Sequence, residues 1–184
     1  MAQLKEYTIK VSEAIFNSIQ MHERIVIYVM RKGDADDLQL LLPGALVYRA
    51  DMSKPEKDSA VAHFHSKKSI MISTTAFGTG INFRSVRATL FYGGAWQIKG
   101  FHQQSGRGGR DFKPSLAVII TAPFFRKLFP APVDNDFWEL VDSSKCIRQI
   151  ISKAIDGEMS LPCLGIKGAL PCKNCQGDFL LFFF

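Results

Sequence analysis

The residues best suited to chemistry are two arginines, spaced three apart in a glycine-rich stretch over residues 103–111. The stretch reads Gln103-Gln104-Ser105-Gly106-Arg107-Gly108-Gly109-Arg110-Asp111. Glycine lets a backbone approach a ligand closely, and arginine offers a planar, bidentate cation that matches phosphate oxygens. These residue types indicate a phosphate-binding segment, and the alternative is a solvated glycine-arginine turn.

The cysteines form a second group with chemical potential. All four lie within the last 39 residues of the chain: Cys146, Cys163, Cys172 and Cys175. The last two form a C-x-x-C pair, which can supply two thiolates to one tetrahedral metal ion while the distant cysteines complete the set. We expect a structural Zn²⁺ site, and a redox pair or plain buried thiols are the alternatives.

A third segment, residues 73–82, combines small hydroxyl side chains with glycines directly after a predicted strand. Such a segment leaves backbone N–H groups free to hold a phosphate, at the strand end where open α/β sheets place their ligands. The candidate residues are Ser73, Thr75, Thr79, Gly80 and Asn82. A purely structural turn is the alternative reading.

The elements that must position these residues alternate between strands and helices. Apolar, β-branched runs predict strands over 25–30, 45–48, 70–73, 88–92 and 116–120. Helical patterns cover 13–19, 34–42, 53–66 and 98–104, and another begins near Phe137. Ser53-Lys54-Pro55-Glu56 is a capping box with proline in the first turn. Units of this kind predict an α/β fold with a parallel sheet and flanking helices.

Size and charge limit the function classes. The 184 residues carry a net charge of +6, with 47% hydrophobic and 22% charged residues, which is enough for one domain and a small additional module. The basic balance favours a polyanionic partner such as nucleic acid. No apolar run reaches membrane-spanning length and no signal peptide is apparent, so we expect an intracellular protein without a membrane partner.

The arginine stretch resembles motif VI of superfamily 2 helicases, Q-x-x-G-R-x-G-R, in the form that RecQ-like DNA helicases carry. The resemblance implies that Arg110 is an arginine finger and that Arg107 reaches the same terminal phosphates of ATP. It implies nucleotide or phosphate contacts for Gln103 and Gly106 as well. The same resemblance implies ATP-driven 3′-to-5′ unwinding of DNA, with roles in DNA repair or recombination and, in a eukaryote, a nuclear location.

Two further segments are similar to the same family. Residues 73–82 resemble motif V, which implies DNA contacts for Ser73, Thr75 and Thr79 and nucleotide contacts for Gly80 and Asn82. The family usually carries aspartate where this chain has Asn82. Residues 47–52 resemble a segment of the family that touches the DNA backbone, although Arg49 and Asp51 depart from the family's pattern there. Arg49 is our candidate DNA contact in this segment.

The cysteine spacing is also similar to the four-cysteine module that follows the second motor domain of RecQ-like helicases. The resemblance therefore implies a second RecA-like helicase domain over residues 1–128 and a helical zinc-binding module with an apolar tail over 129–184. Arg84, Arg87, Lys67 and Lys68 are additional basic residues that either contact phosphate or are simply solvated.

One half of a helicase core is missing from these residues. The sequence contains no G-x-x-x-x-G-K-[ST] phosphate loop, and Asp34-Ala35-Asp36-Asp37 lies at a predicted helix start rather than in an acidic box that holds Mg²⁺. ATP and Mg²⁺ would then bind only together with a first RecA-like domain, in the same parent protein or in trans. The alternatives are a non-catalytic DNA- or protein-binding helicase remnant and a fragment of another superfamily 2 helicase.

Overall fold

The computed structural model describes residues 2–74, 83–128 and 134–176. Within them, five parallel strands form one sheet in the order β2-β3-β1-β4-β5. The strands are β1 (Arg24–Val29), β2 (Leu46–Tyr48), β3 (Ser69–Ser73), β4 (Val86–Tyr92) and β5 (Leu116–Ile120). The helices are α1 (Ala2–Ser18), α2 (Lys32–Leu41), α3 (Lys54–Ser66), α4 (Ile98–Ser105), α5 (Pro123–Leu128), α6 (Asn135–Asp142) and α7 (Ile147–Asp156).

The three central strands form the core, and most of their residues are apolar. Every residue of β1, β3 and β4 is buried, as expected for parallel strands that are covered on both faces. Strand β5 lies at the edge of the sheet and begins exposed, with Leu116 55% accessible. The fold class that the sequence predicts, a parallel α/β sheet with flanking helices, is confirmed.

Helix α1 is longer than the sequence analysis predicts. The apolar pattern suggested a helix over 13–19, whereas the helix extends over Ala2–Ser18. Its buried face includes two polar residues that interrupt the apolar pattern, Thr8 and Ser12. Their hydroxyls donate to the carbonyls four residues earlier, those of Leu4 at 2.8 Å and Thr8 at 2.7 Å, which satisfies them inside the protein.

Helix α3 begins where the capping box predicts. Ser53 is its N-cap: the Ser53 hydroxyl accepts from the Glu56 N–H, and the Ser53 N–H donates to the Glu56 carboxylate at 2.8 Å. Helix α5 was not predicted, because its six residues are too few to show a helical period. None of the helices in the described parts of the chain is long and apolar enough to cross a membrane.

Helices α6 and α7 carry the segment in which the cysteines lie, and they pack on the sheet domain. Phe137, Leu140 and Ile150 belong to the same buried cluster as the strands. Helix α7 contacts α4 as well as α6. Residues 129–133, where the predicted domain boundary falls, lie outside the described residues, so the boundary stays a prediction.

Candidate nucleotide cleft and metal centre

The predicted phosphate-binding segment begins on α4 and continues into a tight turn. Gly106 and the residues after it leave the helix through short turns, and the Gly109 N–H donates to the Val86 carbonyl of β4 at 3.1 Å. Gly109 has a φ of 69°, and a Cβ there would lie 2.8 Å from the Lys113 carbonyl oxygen. Glycine is therefore required at this position for both conformation and space. The turn holds Arg107 half-buried and Arg110 exposed.

Arg87 of β4 holds this turn in place through polar contacts. It is 8% exposed on β4, its Nε lies 2.7 Å from Glu23 Oε1, and its Nη1 donates to the Pro114 carbonyl at 3.0 Å. Its Nη2 forms an ion pair with Asp111. The Arg87 guanidinium lowers the pKa of the Asp111 carboxyl to about 2. Arg87 is thus an internal anchor of the arginine turn, which favours a structural role over the phosphate contact considered from the sequence.

A cavity of about 220 Å³ lies beside Arg107, at the carboxyl ends of β1 and β4. Its walls are the end of β1, the loop after β4 and one side of α4, with lining residues Tyr28, Val29, Met30, Gly94, Ala95, Trp96, Gln97, Gly100, Gln103, Gln104 and Arg107. Open α/β sheets bind ligands at this edge. The structure thus brings Gln103 and Arg107 to the edge of the sheet where a ligand is expected.

Tyr28 is an aromatic wall of this cavity, and the arginines influence its phenol. Burial raises the pKa of the Tyr28 phenol well above its ordinary value, and the charges of Arg107 and Arg110 oppose that rise. Tyr28 is therefore a neutral phenol at physiological pH and stacks on Phe91 with ring centroids 5.3 Å apart. The cavity thus combines the Arg107 guanidinium with an uncharged aromatic wall, and Arg110 lines a separate concavity.

Of the five candidate residues in the segment 73–82, the structure describes only Ser73. Thr75, Thr79, Gly80 and Asn82 lie outside the described residues. Ser73 is fully buried, and its hydroxyl lies 2.7 Å from both the Tyr48 and the Thr74 carbonyl oxygens. Its contact to β2 is a structural tie in the described chain, and a DNA contact for Ser73 stays a prediction.

Arg49 lies at the end of β2 among acidic residues. It forms an ion pair with Asp36 of α2, and its Nε lies 3.5 Å from Asp51 Oδ1. Lys32 lies 3.0 Å from the same Asp51 carboxylate, and this hydrogen bond is the main cause of a lowered pKa at Asp51. A DNA phosphate would have to compete with these carboxylates for Arg49. The DNA contact of Arg49 stays a prediction.

The four cysteines converge on one point. All four Sγ atoms lie within 4.8 Å of one another. The Sγ of Cys146 lies 3.5 Å from the Sγ of Cys163 and 4.0 Å from the Sγ of Cys172. A tetrahedral zinc with Zn–S bonds of about 2.3 Å has S–S edges of about 3.8 Å. A disulfide needs about 2.05 Å, and all four cysteines are free thiols. The spacing therefore fits four ligands around one ion.

The thiols of the cluster differ in acidity. Burial alone would raise the pKa of Cys146, but hydrogen bonds from the backbone of Gln149 and Cys163 and from neighbouring thiols lower it to about 6. Burial and the neighbouring thiols raise the pKa of Cys175 to about 12. The Asn174 side-chain amide donates to the carbonyls of Ser143 and Lys145 at 2.8 and 2.7 Å. This amide ties the C-x-x-C turn to the segment just before Cys146.

Asp134 links the cysteine module to the cleft, and the sequence analysis did not identify it. Its Oδ1 caps α6 by accepting from Phe137 N–H at 2.8 Å, while its Oδ2 accepts from Ile98 N–H, the first residue of α4, at 3.1 Å. Its own N–H donates to the Trp96 carbonyl at 3.1 Å. An aspartate before an apolar helical run signals an N-cap, but the second bond to α4 is visible only in three dimensions.

The sequence that forms this sheet matches a known family. Residues 7–111 match the model of the helicase conserved C-terminal domain, which is more than half of the chain. The chain belongs to this family.

The relatives of this helicase C-terminal domain include RecQ-like enzymes. It is 28% identical to the ATP-dependent DNA helicase Q-like 2 of Arabidopsis thaliana over 185 residues, which covers 90% of the chain and 25% of the relative. It is 31% identical to the bifunctional 3′-5′ exonuclease/ATP-dependent helicase WRN of Mus musculus, over 70% of the chain and 10% of the relative. The RecQ-like DNA helicase blm-1 of Caenorhabditis elegans is 25% identical over 60% of the chain and 12% of the relative. The resemblance to RecQ-like helicases is confirmed, and the chain spans a quarter or less of these proteins.

Solved structures share the fold of this helicase C-terminal domain. The E. coli DEAD-box protein SrmB superposes with a TM-score of 0.55 at 15% identity, over 64% of this chain and 71% of that one. S. cerevisiae Dbp5 bound to RNA and ADP BeF3 superposes with a TM-score of 0.57 at 17% identity, over 71% of this chain and 35% of that one. The sheet is therefore a RecA-like helicase fold, as the sequence analysis predicts.

Proposed function

We propose that this helicase C-terminal domain is the second motor domain of a RecQ-type, ATP-dependent 3′-to-5′ DNA helicase. The observation that carries the proposal is the convergence of Gln103, Arg107 and the end of β1 on one cavity at the carboxyl edge of the sheet. Two of the relatives named above, helicase Q-like 2 and blm-1, are DNA helicases, which supports DNA as the substrate. The proposal places the chain inside the cell and, in a eukaryote, in the nucleus, where DNA repair and recombination take place.

In this proposal the chain supplies one side of a nucleotide cleft and a first RecA-like domain supplies the other. Residues 1–184 contain no phosphate loop and no acidic box, so the first domain would hold ATP and Mg²⁺. Arg110 acts as the arginine finger and Arg107 contacts the same phosphates, because guanidinium groups stabilise the charge that develops on a transferred phosphoryl group. Gln103, Gly106, Gly80 and Asn82 complete the nucleotide contacts.

DNA would contact Arg49 together with Thr75 and Thr79, which lie outside the described residues, and the buried Ser73 would hold the start of that segment in place. Backbone N–H groups and hydroxyls of this kind hold phosphates without reading sequence. Arg49 would exchange its internal carboxylate partners for a DNA phosphate, so its contribution should depend strongly on salt.

Cys146, Cys163, Cys172 and Cys175 would hold one structural Zn²⁺. The ion would crosslink α7 to the two short turns at 163–165 and 173–175, in a segment with little apolar core of its own. Because α7 packs on α4, the zinc module would also stabilise the helix that carries Gln103.

A fusion experiment tests the motor function. The first RecA-like domain of the Arabidopsis helicase Q-like 2 is fused to residues 1–184, and ATP turnover is measured with and without single-stranded DNA. We expect no turnover from residues 1–184 alone and DNA-stimulated turnover from the fusion. Arg110→Ala should reduce kcat by about 10³-fold or more, and Arg110→Lys should not restore it. Arg148→Ala, an exposed arginine of α7, is the matched control.

Three outcomes distinguish the proposal from its rivals. DNA-stimulated turnover by residues 1–184 alone contradicts the division of labour between two domains. A fusion that binds DNA but never hydrolyses ATP supports a non-catalytic remnant instead. Unwinding of RNA duplexes, or of DNA with only a 5′ tail, points to another superfamily 2 activity.

A further inference from the structure

Phe112 is an aromatic side chain with no structural explanation in the described chain. It follows the arginine turn directly, and its side chain is fully exposed, at 101% relative accessibility. Large aromatic side chains normally contribute to stability by burial, and this ring contributes none. A bound ligand would explain why an exposed aromatic side chain directly follows the arginine turn.

The backbone of Phe112 adds a cost. Its φ is 63°, and it is the only residue other than glycine with a positive φ among those that the structure describes. The left-handed region is unfavourable for a bulky side chain, and strained positions of this kind concentrate at functional sites. The turn is closed by the Phe112 N–H, which donates to the Gly109 carbonyl at 2.9 Å. The conformation therefore projects the ring from a fixed turn.

The charges beside the ring are mostly positive. Phe112 lines an open concavity of about 640 Å³ together with Arg84, Arg110 and Asp111. Arg84, Arg110 and the adjacent Lys113 are exposed. Asp111 is held in an ion pair with Arg87, so its carboxylate does not cancel the charge of the concavity.

An exposed aromatic face with neighbouring guanidinium groups is the chemistry that binds a single-stranded nucleic acid. The base stacks on the ring, and the adjoining phosphate contacts the arginines. We propose that Phe112 is a base-stacking residue and that Arg84 is its phosphate-binding partner for single-stranded DNA. The inference rests on the proposed DNA-binding function. It adds Phe112 and Arg84 to the DNA contacts proposed above.

The test measures binding of fluorescein-labelled dT20 by fluorescence anisotropy, with residues 1–184 and with the fusion described above. Phe112→Ala and Phe112→Leu should weaken binding about 5- to 100-fold, because leucine retains apolar bulk but offers no ring face, whereas Phe112→Trp should bind at least as tightly as the parent chain. Arg84→Ala should reduce the slope of log affinity against log salt by about 0.7. Leu164→Ala, at another exposed apolar residue, which lies in the cysteine module, should bind dT20 normally.

Phe112→Gly separates stacking from folding. Glycine relieves the left-handed backbone, so this variant should melt about 2–4 °C higher than the parent chain and yet bind dT20 as weakly as Phe112→Ala. A fluorescent ATP analogue is measured in parallel with the fusion. If the Phe112 variants lose ATP analogue affinity and keep dT20 affinity, the base that stacks is that of the nucleotide, and the DNA assignment is wrong.

The remaining outcomes are distinct. If the parent chain and the fusion bind dT20 but every Phe112 variant binds within twofold, the stacking inference fails and the proposed function stands. If neither parent protein binds dT20, both fail. If the Phe112 variants bind dT20 normally but lose affinity for an added first RecA-like domain, the ring is a protein contact and the inference is overturned.

Discussion

Arg87 forms an ion pair with Asp111, and this pair connects the central sheet to the turn that carries both candidate catalytic arginines. On its other side the same guanidinium lies 2.7 Å from Glu23 Oε1. Motif VI is therefore held by a polar anchor as well as by the Gly109–Val86 backbone bond. We therefore expect the position of the arginines relative to the cleft to depend on this anchor.

Removing the anchor should destabilise the protein and disorder the turn. In Arg87→Ala, Glu23 loses its cation at a nearly buried site, and Asp111 loses its partner. We expect the free energy of unfolding in urea to fall by about 2 kcal/mol, between the values for exposed and fully buried ion pairs. Lys10→Ala removes the fully exposed pair with Glu6 and should leave the unfolding midpoint unchanged. Equal stability of Arg87→Ala and the parent chain would show that the pair is not an anchor.

The lowered pKa of Asp111 predicts a pH dependence of stability. The folded-state pKa is about 2, below the value of about 3.9 in an unfolded chain, so the ionised carboxylate stabilises the folded state above about pH 4. That contribution should disappear as the pH falls from about 4 towards 2. Asp111→Asn should therefore be less stable than the parent at pH 6, and the gap should close at pH 2. A gap that stays constant in urea titrations across this range contradicts the assignment.

Gly94 should tolerate no side chain, because the cysteine module packs against it. Its φ is 124°, and a Cβ would lie 2.8 Å from Cε1 of Phe137. Gly94→Ala should lower the free energy of unfolding by about 2–4 kcal/mol, since backbone strain and a clash with a buried ring add together.

Gly157 is the matched control for Gly94. It also has a positive φ, 79°, but no atom lies within 4 Å of its built Cβ, so Gly157→Ala should cost only about 1–2 kcal/mol. Gly94→Ala combined with Phe137→Leu should recover part of the loss. Equal costs for the two glycine variants would show that the Phe137 contact is not tight.

Metal content tests the cysteine cluster. The purified chain should contain close to one zinc, and Cys172→Ser should reduce both the content and the thermal stability. Replacement by Co²⁺ should give the thiolate charge-transfer absorption of a four-sulfur site. Asn174→Ala should keep the stoichiometry but weaken the affinity, because its amide only positions the C-x-x-C turn. A chain that folds fully, with its helical content unchanged, after complete removal of zinc contradicts a structural role.

Most of the sheet domain could be predicted from the sequence because its signals are local. A strand of a parallel sheet often reads as an apolar run, and β1, β3 and β5 have one over 25–29, 70–72 and 116–120, whereas Arg87 and Thr89 interrupt the run of β4. The capping box at Ser53 and the C-x-x-C pair at Cys172 are likewise written in consecutive residues. Helix α1 was underestimated because Thr8 and Ser12 lie on its buried face, and their hydrogen bonds to earlier carbonyls are not visible as an apolar period.

Residue type and spacing were enough to predict the order of the five strands and of helices α1 to α4 and α6, the two arginines of motif VI and the set of four cysteines. The contacts that hold these residues in place are visible only in three dimensions. Arg87 meets Glu23 and Asp111 across 64 and 24 residues of chain, and Asp134 meets Ile98 across 36. Contacts over such distances depend on how parallel strands and helices pack. The sequence alone therefore does not distinguish Arg87 from a solvated surface cation.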